Sequence, residues 1–170
     1  MMTFTDQAYL FAKKAHGNQK RKYTFEPYIT HPKNVFRMVR EATDDITVQA
    51  AALLHDVLED TDISESQIQN LFGPVTLNFV LEVTDISKPE DGNRAIRKAI
   101  DREHLSKTTW GGATIKLADI IDNSISIIWH DPKFAKIYMK EKALLLKVLK
   151  HGDAGLFKKA QIIIDEYGVT

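Results

Sequence analysis

Cysteine is absent from this 170-residue chain, which removes disulfides, thiolate nucleophiles and Cys-type zinc sites together, so any metal must rest on His, Asp and Glu. A surplus of charge is missing too: 23 Lys and Arg balance 23 Asp and Glu. Without a net basic surface, sequence-independent attraction to nucleic acid has no source. No apolar run approaches the roughly 20 residues needed to cross a bilayer, because stretches such as Ala50–Leu54 and Leu144–Leu146 are soon cut by charges. The opening Met1-Met2-Thr3-Phe4-Thr5-Asp6 lacks a basic start followed by an apolar stretch, so it does not read as a secretory signal, and a cytoplasmic location is expected. Nucleic acid and membrane are therefore not expected partners. Long alternations of apolar and polar residues are scarce as well, which leaves the helical period dominant and makes the expected fold all-α. A hydrophobic content of 44% over this length suits one core, hence a single domain over residues 1–170.

The chain divides at its few glycines and prolines. A first helix is expected over 5–15, stopped by Gly17, followed by an irregular basic and aromatic loop to His31. Pro32 suits the first turn of a helix to about Glu41. The most apolar helix runs over 47–59 and should be central, with Ala51, Leu54 and Leu58 on one stripe. Ser64 caps a short helix to Leu71, Phe72-Gly73-Pro74 breaks the chain, and another helix continues to Ile86. A charged helix over 94–107 ends at Trp110-Gly111-Gly112, after which 113–129, the stretch between Pro132 and Gly152, and 154–167 are helical.

Chemistry collects on the most apolar of these helices. His55-Asp56 stands near its end, and Glu59 and Asp60 follow one turn later, so the four polar side chains share neighbouring positions on a face otherwise built for the core. Taken alone, an adjacent His-Asp pair is an ordinary satisfied core histidine beside an acid; the double acid placed one turn beyond it is what singles it out. A second stripe, Lys116, Asp119 and Asn123, falls at spacings of three and four amid Ile115, Leu117, Ala118, Ile120 and Ile121. His31 is a further possible ligand. The second His-Asp pair, His130-Asp131, precedes Pro132 and reads as a helix cap instead. His104 and His151 sit among charges and are expected at the surface.

In order along the chain, His31, His55-Asp56 and Asp119 resemble the metal-binding set of the HD-domain phosphohydrolases. More narrowly, His16-Gly17 with Gln19, Arg21-Lys22, Glu26-Pro27-Tyr28-Ile29-Thr30-His31-Pro32, Ala52 to Thr61, Phe72-Gly73, Val83-Thr84 and Ile115 to Asp119 resemble the hydrolase domain of RelA/SpoT-type alarmone enzymes, with no length for a synthetase domain. The likeness is greatest to single-domain small alarmone hydrolases, which include metazoan SpoT homologues.

That resemblance implies an all-α HD-domain helical bundle with a metal site in a central cleft. The metal ligands would be His31, His55, Asp56 and Asp119, and the activity would be removal of the 3′-pyrophosphate from ppGpp or pppGpp with Mn²⁺. Two imidazoles and two carboxylates also suit Fe²⁺, Zn²⁺ or Ni²⁺. Glu59 and Asp60 would orient or deprotonate the attacking water. Arg21, Lys22 and Lys116 would supply donors to phosphate or a stacking surface for guanine, and Asn123 would contact the nucleoside. His16 would pack or contact the loop, and Tyr28 would pack it. The chain departs from the family pattern at Phe25, where Gly is usual, and in one extra residue between Arg21 and Glu26, so either Arg21 or Lys22 could fill the stacking role. Ile120-Ile121-Asp122 replaces the Arg and His that longer members often carry after the metal Asp. Two other readings stay open: a different HD phosphohydrolase acting on nucleotides or the 2′-phosphate of NADPH, and an alarmone-binding module without turnover.

Overall fold

Capping side chains written into the sequence set most of the helix starts. Thr3 accepts from the Asp6 amide while Asp6 answers the Thr3 amide, opening α1 (Phe4–His16); Ser64 and Gln67 do the same for α5 (Glu65–Val83). Single oxygens serve elsewhere: Asp45 for α3 (Ile46–Leu54), Asn93 for α6 (Arg94–Leu105), Thr109 for α7 (Trp110–His130), Asp131 for α8 (Pro132–Leu146) and Asp153 for α9 (Ala154–Tyr167). Each satisfies an amide that the first turn leaves without an intrahelical partner. Between these lie α2 (Thr30–Ala42) and the one-turn α4 (Val57–Asp60). The computed structural model describes residues 2–168. Among them β-pairing is limited to an isolated antiparallel bridge between Lys20 and Pro27, so the fold is all-α, as expected.

Two helices form the interior. In α3 every residue from Val48 to Leu54 is buried, and in α7 the buried run extends from Gly111 to Ile121. α3 packs against α1, α2 and α5, whereas α7 packs against α2, α5, α8 and α9. Burying a side chain such as Leu54 or Ile115 contributes about 1.5–3 kcal/mol each. That matters here because α7 also carries Lys116 and Asp119 inside, two charges whose burial is costly and is tolerated because they pair with each other within a well-packed interior.

The structure corrects the expected helix boundaries in places that bear on function. The single helix expected over 47–59 is interrupted at His55-Asp56. His55 Nδ1 donates to the Ala52 carbonyl at 2.8 Å, taking the acceptor that a continuous helix would give to the amide four residues on. Asp56 then sits at φ −96°, ψ −4°, and a fresh turn carries Glu59 and Asp60, with the Asp60 amide still donating to the Asp56 carbonyl at 3.0 Å. The Gly73-Pro74 break is present, Gly73 leaving helical geometry at φ 81° and ψ 166°, but the second part of α5 ends at Val83, not at Ile86. Trp110-Gly111-Gly112 is not a breaker: it is the first turn of α7. A Cβ on Gly111 would lie 2.6 Å from the Phe79 ring and one on Gly112 would lie 2.3 Å from Glu82 Oε2, so these glycines are there for close packing against α5.

Candidate metal centre

Three separate stretches deliver four side chains to one point. His31 is the second residue of α2, His55-Asp56 occupies the break between α3 and α4, and Asp119 lies mid-way along α7. His31 Nε2 is 3.2 Å from His55 Nε2, 3.4 Å from Asp56 Oδ2 and 3.3 Å from Asp119 Oδ1. His55 Nε2 is 3.2 Å from Asp56 Oδ2 and 4.0 Å from Asp119 Oδ1. Both imidazoles are almost fully buried, at 2% and 1% exposure, so these contacts are not surface accidents.

The outer nitrogens of the two rings decide what the inner ones can do. His55 Nδ1 donates to the Ala52 carbonyl, and His31 Nδ1 meets Asp122 Oδ2 at 2.6 Å. With each Nδ1 acting as an N–H donor, the neutral rings aim Nε2 lone pairs toward each other. Two lone pairs 3.2 Å apart repel unless a cation stands between them. Two neutral nitrogens with two carboxylates also match the charge of a divalent ion, so the donor set fits one. Without a metal, a proton takes the place: burial alone would push the His31 ring down, but hydrogen bonds with Asp119, Asp122 and Asp56 carry it well above its ordinary value. His55 is also raised, its burial outweighed by Asp56. The carboxylates move the other way. Burial would raise Asp56, yet the two histidines hold it well below the usual carboxylate range, and Lys116 does the same for buried Asp119.

Lys116 Nζ lies 3.1 Å from Asp119 Oδ2, and Asn123 Nδ2 donates to Asp119 Oδ1 at 2.6 Å. Burial opposes the charge on Lys116, but Asp119, Asp85 and Glu59 keep it protonated. Arg21 reaches the same neighbourhood through a 2.8 Å contact with Asp122. Lys22 does not: its side chain is 74% exposed and 4.0 Å from Asp131, over the Tyr23 ring. Glu59 Oε1 accepts from the Asp85 amide at 2.7 Å. Burial of its carboxyl pushes Glu59 up to about 7, although the residue keeps an exposed surface, and solvent screening works against that rise. Asp60 is raised by burial and by the charge on Asp56.

Asp122, Asn34 and Tyr28 were not assigned to this site from the sequence. Asp122 touches His31, Arg21 and Asn34, the last donating through Nδ2 at 2.9 Å. Its place three residues after Asp119, on the same helical face, was the available signal. Tyr28, expected to pack the loop, instead donates its hydroxyl to Asp56 Oδ2 at 2.7 Å. Burial raises the phenol and the Asp56 and Asp60 carboxylates raise it further, so it remains a donor. His130-Asp131 lies outside the cluster. Asp131 accepts from the Phe134 amide at 3.1 Å and from the Tyr23 hydroxyl at 3.0 Å, a capping and anchoring role. His104 is half-buried, its Nε2 3.1 Å from the Leu81 carbonyl. Phe25 adopts φ 57°, a left-handed backbone that is uncommon for a residue other than glycine.

Comparison with known proteins gives this geometry a family. Residues 8–122 match the model described as HD domain. A guanosine-3′,5′-bis(diphosphate) 3′-pyrophosphohydrolase of Aquifex aeolicus is 40% identical over 129 residues, covering 72% of this chain and 17% of its own length. The Drosophila melanogaster protein guanosine-3′,5′-bis(diphosphate) 3′-pyrophosphohydrolase MESH1 is 40% identical over 116 residues, covering 66% of this chain and 63% of that protein. The chain thus spans less than two thirds of these curated relatives. A solved structure of a metazoan ortholog of SpoT that hydrolyzes ppGpp superposes with a TM-score of 0.88 at 30% identity, covering 99% of this chain and 97% of that one. An HD domain with this His/Asp cluster implies a divalent metal. Matched over most of its length and carrying its His-Asp pair at the buried cluster, the chain belongs to the HD-domain family.

Proposed function

We propose that this chain hydrolyses the 3′-pyrophosphate of guanosine alarmones, ppGpp and pppGpp, to GDP or GTP and pyrophosphate. His31, His55, Asp56 and Asp119 would hold the divalent cation, with Mn²⁺ the ion that the resemblance to alarmone hydrolases implies and a donor set that also suits Fe²⁺, Zn²⁺ or Ni²⁺. The observation that carries the reading is the pair of inward-facing imidazole nitrogens 3.2 Å apart, with a double acid on the next turn, in a chain whose relatives bear alarmone-hydrolase names. When bound, the cation supplies Lewis-acid stabilisation of a phosphoryl oxygen and makes water a better nucleophile.

The chain's own groups divide the remaining work. Glu59 Oε1 is tied to the Asp85 amide, which leaves Oε2 to take the proton of the attacking water, and a carboxyl lifted toward 7 is a competent base near neutrality. As the new oxygen–phosphorus bond forms and the bond to the ribose 3′-oxygen breaks, that oxygen takes up a proton from solvent, while Asp60 beside Glu59 helps to orient the attacking water. Tyr28 holds Asp56 in place by its hydroxyl. Arg21 and Lys116 offer positive charge to the phosphates, and Asn123 offers an amide to the nucleoside; exposed Lys22 would reach only the outer part of the ligand. The test is product analysis of Mn²⁺-loaded protein with ppGpp. Pyrophosphate and GDP in equal amounts are expected; orthophosphate would move the chain to another HD phosphohydrolase activity, and binding without products would make it an alarmone-binding module.

A further inference from the structure

The His16-Gly17 and Gln19 motif has no task in the scheme above, yet its geometry is specific. His16 ends α1 with 2% exposure. Gly17 turns the chain at φ 52°, and the Gln19 amide donates back to the His16 carbonyl at 2.9 Å. The side chains then meet: His16 Nδ1 is 2.9 Å from Gln19 Oε1, and Gln19 Nε2 donates to the backbone carbonyl of Asp60 at 2.6 Å. Because a carbonyl can only accept, the amide nitrogen of Gln19 must face Asp60, its oxygen must face His16, and His16 Nδ1 must carry the proton. His16 Nε2 is buried without a partner. An apolar residue would fill this space without stranding a polar atom, so the imidazole is retained for its Nδ1–H.

What lies at each end gives the contact its meaning. Gln19 also accepts the Tyr28 amide through its own carbonyl at 2.9 Å, and the Arg21 amide donates to the Glu26 carbonyl at 2.9 Å, so Gln19 sits at the base of the 17–29 loop. That loop presents Arg21 and Tyr28 to the cluster. The His16 ring packs on the Tyr28 ring with centroids 4.6 Å apart. The other end is the last residue of α4, the turn bearing Glu59 and Asp60.

We propose that His16 and Gln19 are positioning residues that latch the 17–29 loop to the Glu59-Asp60 turn, fixing the acid pair relative to Arg21 and Tyr28. The catalytic consequence rests on the alarmone-hydrolase reading, whereas the latch itself does not. Gln19 is at the surface, so Gln19→Ala leaves the core untouched. With Mn²⁺ and ppGpp it should lower kcat at least tenfold while metal content stays at the wild-type level and KM changes by less than threefold. His16→Ala should match it, and the double variant should be no worse than either single one, because both act through one chain of contacts. His16→Asn, whose amide nitrogen can occupy the Nδ1 position, should recover most of the turnover. An unimpaired Gln19→Ala, additive losses, or a His16→Asn variant as impaired as His16→Ala would overturn the proposal. The imidazole ¹⁵N spectrum reads the latch without turnover: the Nδ1–H tautomer of His16 is expected, lost in Gln19→Ala, and an Nε2–H tautomer in the wild type would refute the latch. A wild type that shows the expected tautomer but releases no pyrophosphate would instead overturn the proposed activity.

Discussion

The same dipeptide occurs twice in this chain, in two different surroundings. His55-Asp56 lies at a break between two helices, where His55 is 1% exposed and its Nε2 faces His31, Asp56 and Asp119. His130-Asp131 lies at the α7–α8 junction, with His130 exposed and Asp131 half-buried, His130 Nδ1 bonded to the Ser126 carbonyl at 2.8 Å and Asp131 capping α8. Neighbours separate the two. Around the first, buried helices bring further His and Asp side chains and exclude water; around the second, the partners are one backbone amide, one backbone carbonyl and a tyrosine hydroxyl. A buried His-Asp pair with further His and Asp side chains facing it offers a divalent cation a donor set that an exposed pair bonded to backbone does not.

The sharpest way to break the comparison is to delete each histidine in turn. His55→Ala should abolish stoichiometric Mn²⁺ binding and pyrophosphate release together, while His130→Ala should retain the metal, as read by elemental analysis. Equal metal loss in both variants would erase the distinction. Next in size, Glu59→Gln should lower turnover by roughly 10² with the metal retained, because the base is lost and the ligands are not. The pH profile gives the sign. A Glu59 carboxyl near 7 is protonated below that value, so the wild-type rate should rise as pH rises through about 7, and that limb should vanish in Glu59→Gln. Asp122→Asn should weaken metal binding by roughly tenfold, since it loosens the partner that orients His31, as measured by competition with a chelator. The smallest effect belongs to the second pair: Asp131→Ala removes a cap and should cost about 1 kcal/mol in chemical denaturation without changing metal affinity.

Much of this was legible in the sequence because it depends on local spacing. The helical period, the caps at Ser64 and Asp131, the Gly73-Pro74 break and the reading of His130-Asp131 as a cap all follow from residues a few positions apart. The order His31, His55-Asp56, Asp119 pointed to the HD family. What lay outside its reach depends on contacts between distant segments. Asp122 meets His31 across 91 positions and Tyr28 meets Asp56 across 28, and neither pairing leaves a periodic trace. Gly111-Gly112 looked like a breaker because glycine is unfavourable in a helix, whereas its use is the approach of α5, a tertiary gain that overrides propensity. The interruption at His55-Asp56 was hidden for a related reason: a side chain displaces a backbone donor, and the apolar pattern runs through it.

The central claim, that four side chains from three stretches hold one divalent cation while the second His-Asp pair holds none, is most directly tested by anomalous diffraction from crystals grown with Mn²⁺. The account predicts one manganese peak per chain, bounded by His31 Nε2, His55 Nε2, Asp56 and Asp119, and no peak at His130-Asp131. A chain with manganese elsewhere, or with none at this cluster while ppGpp is still hydrolysed, would contradict it.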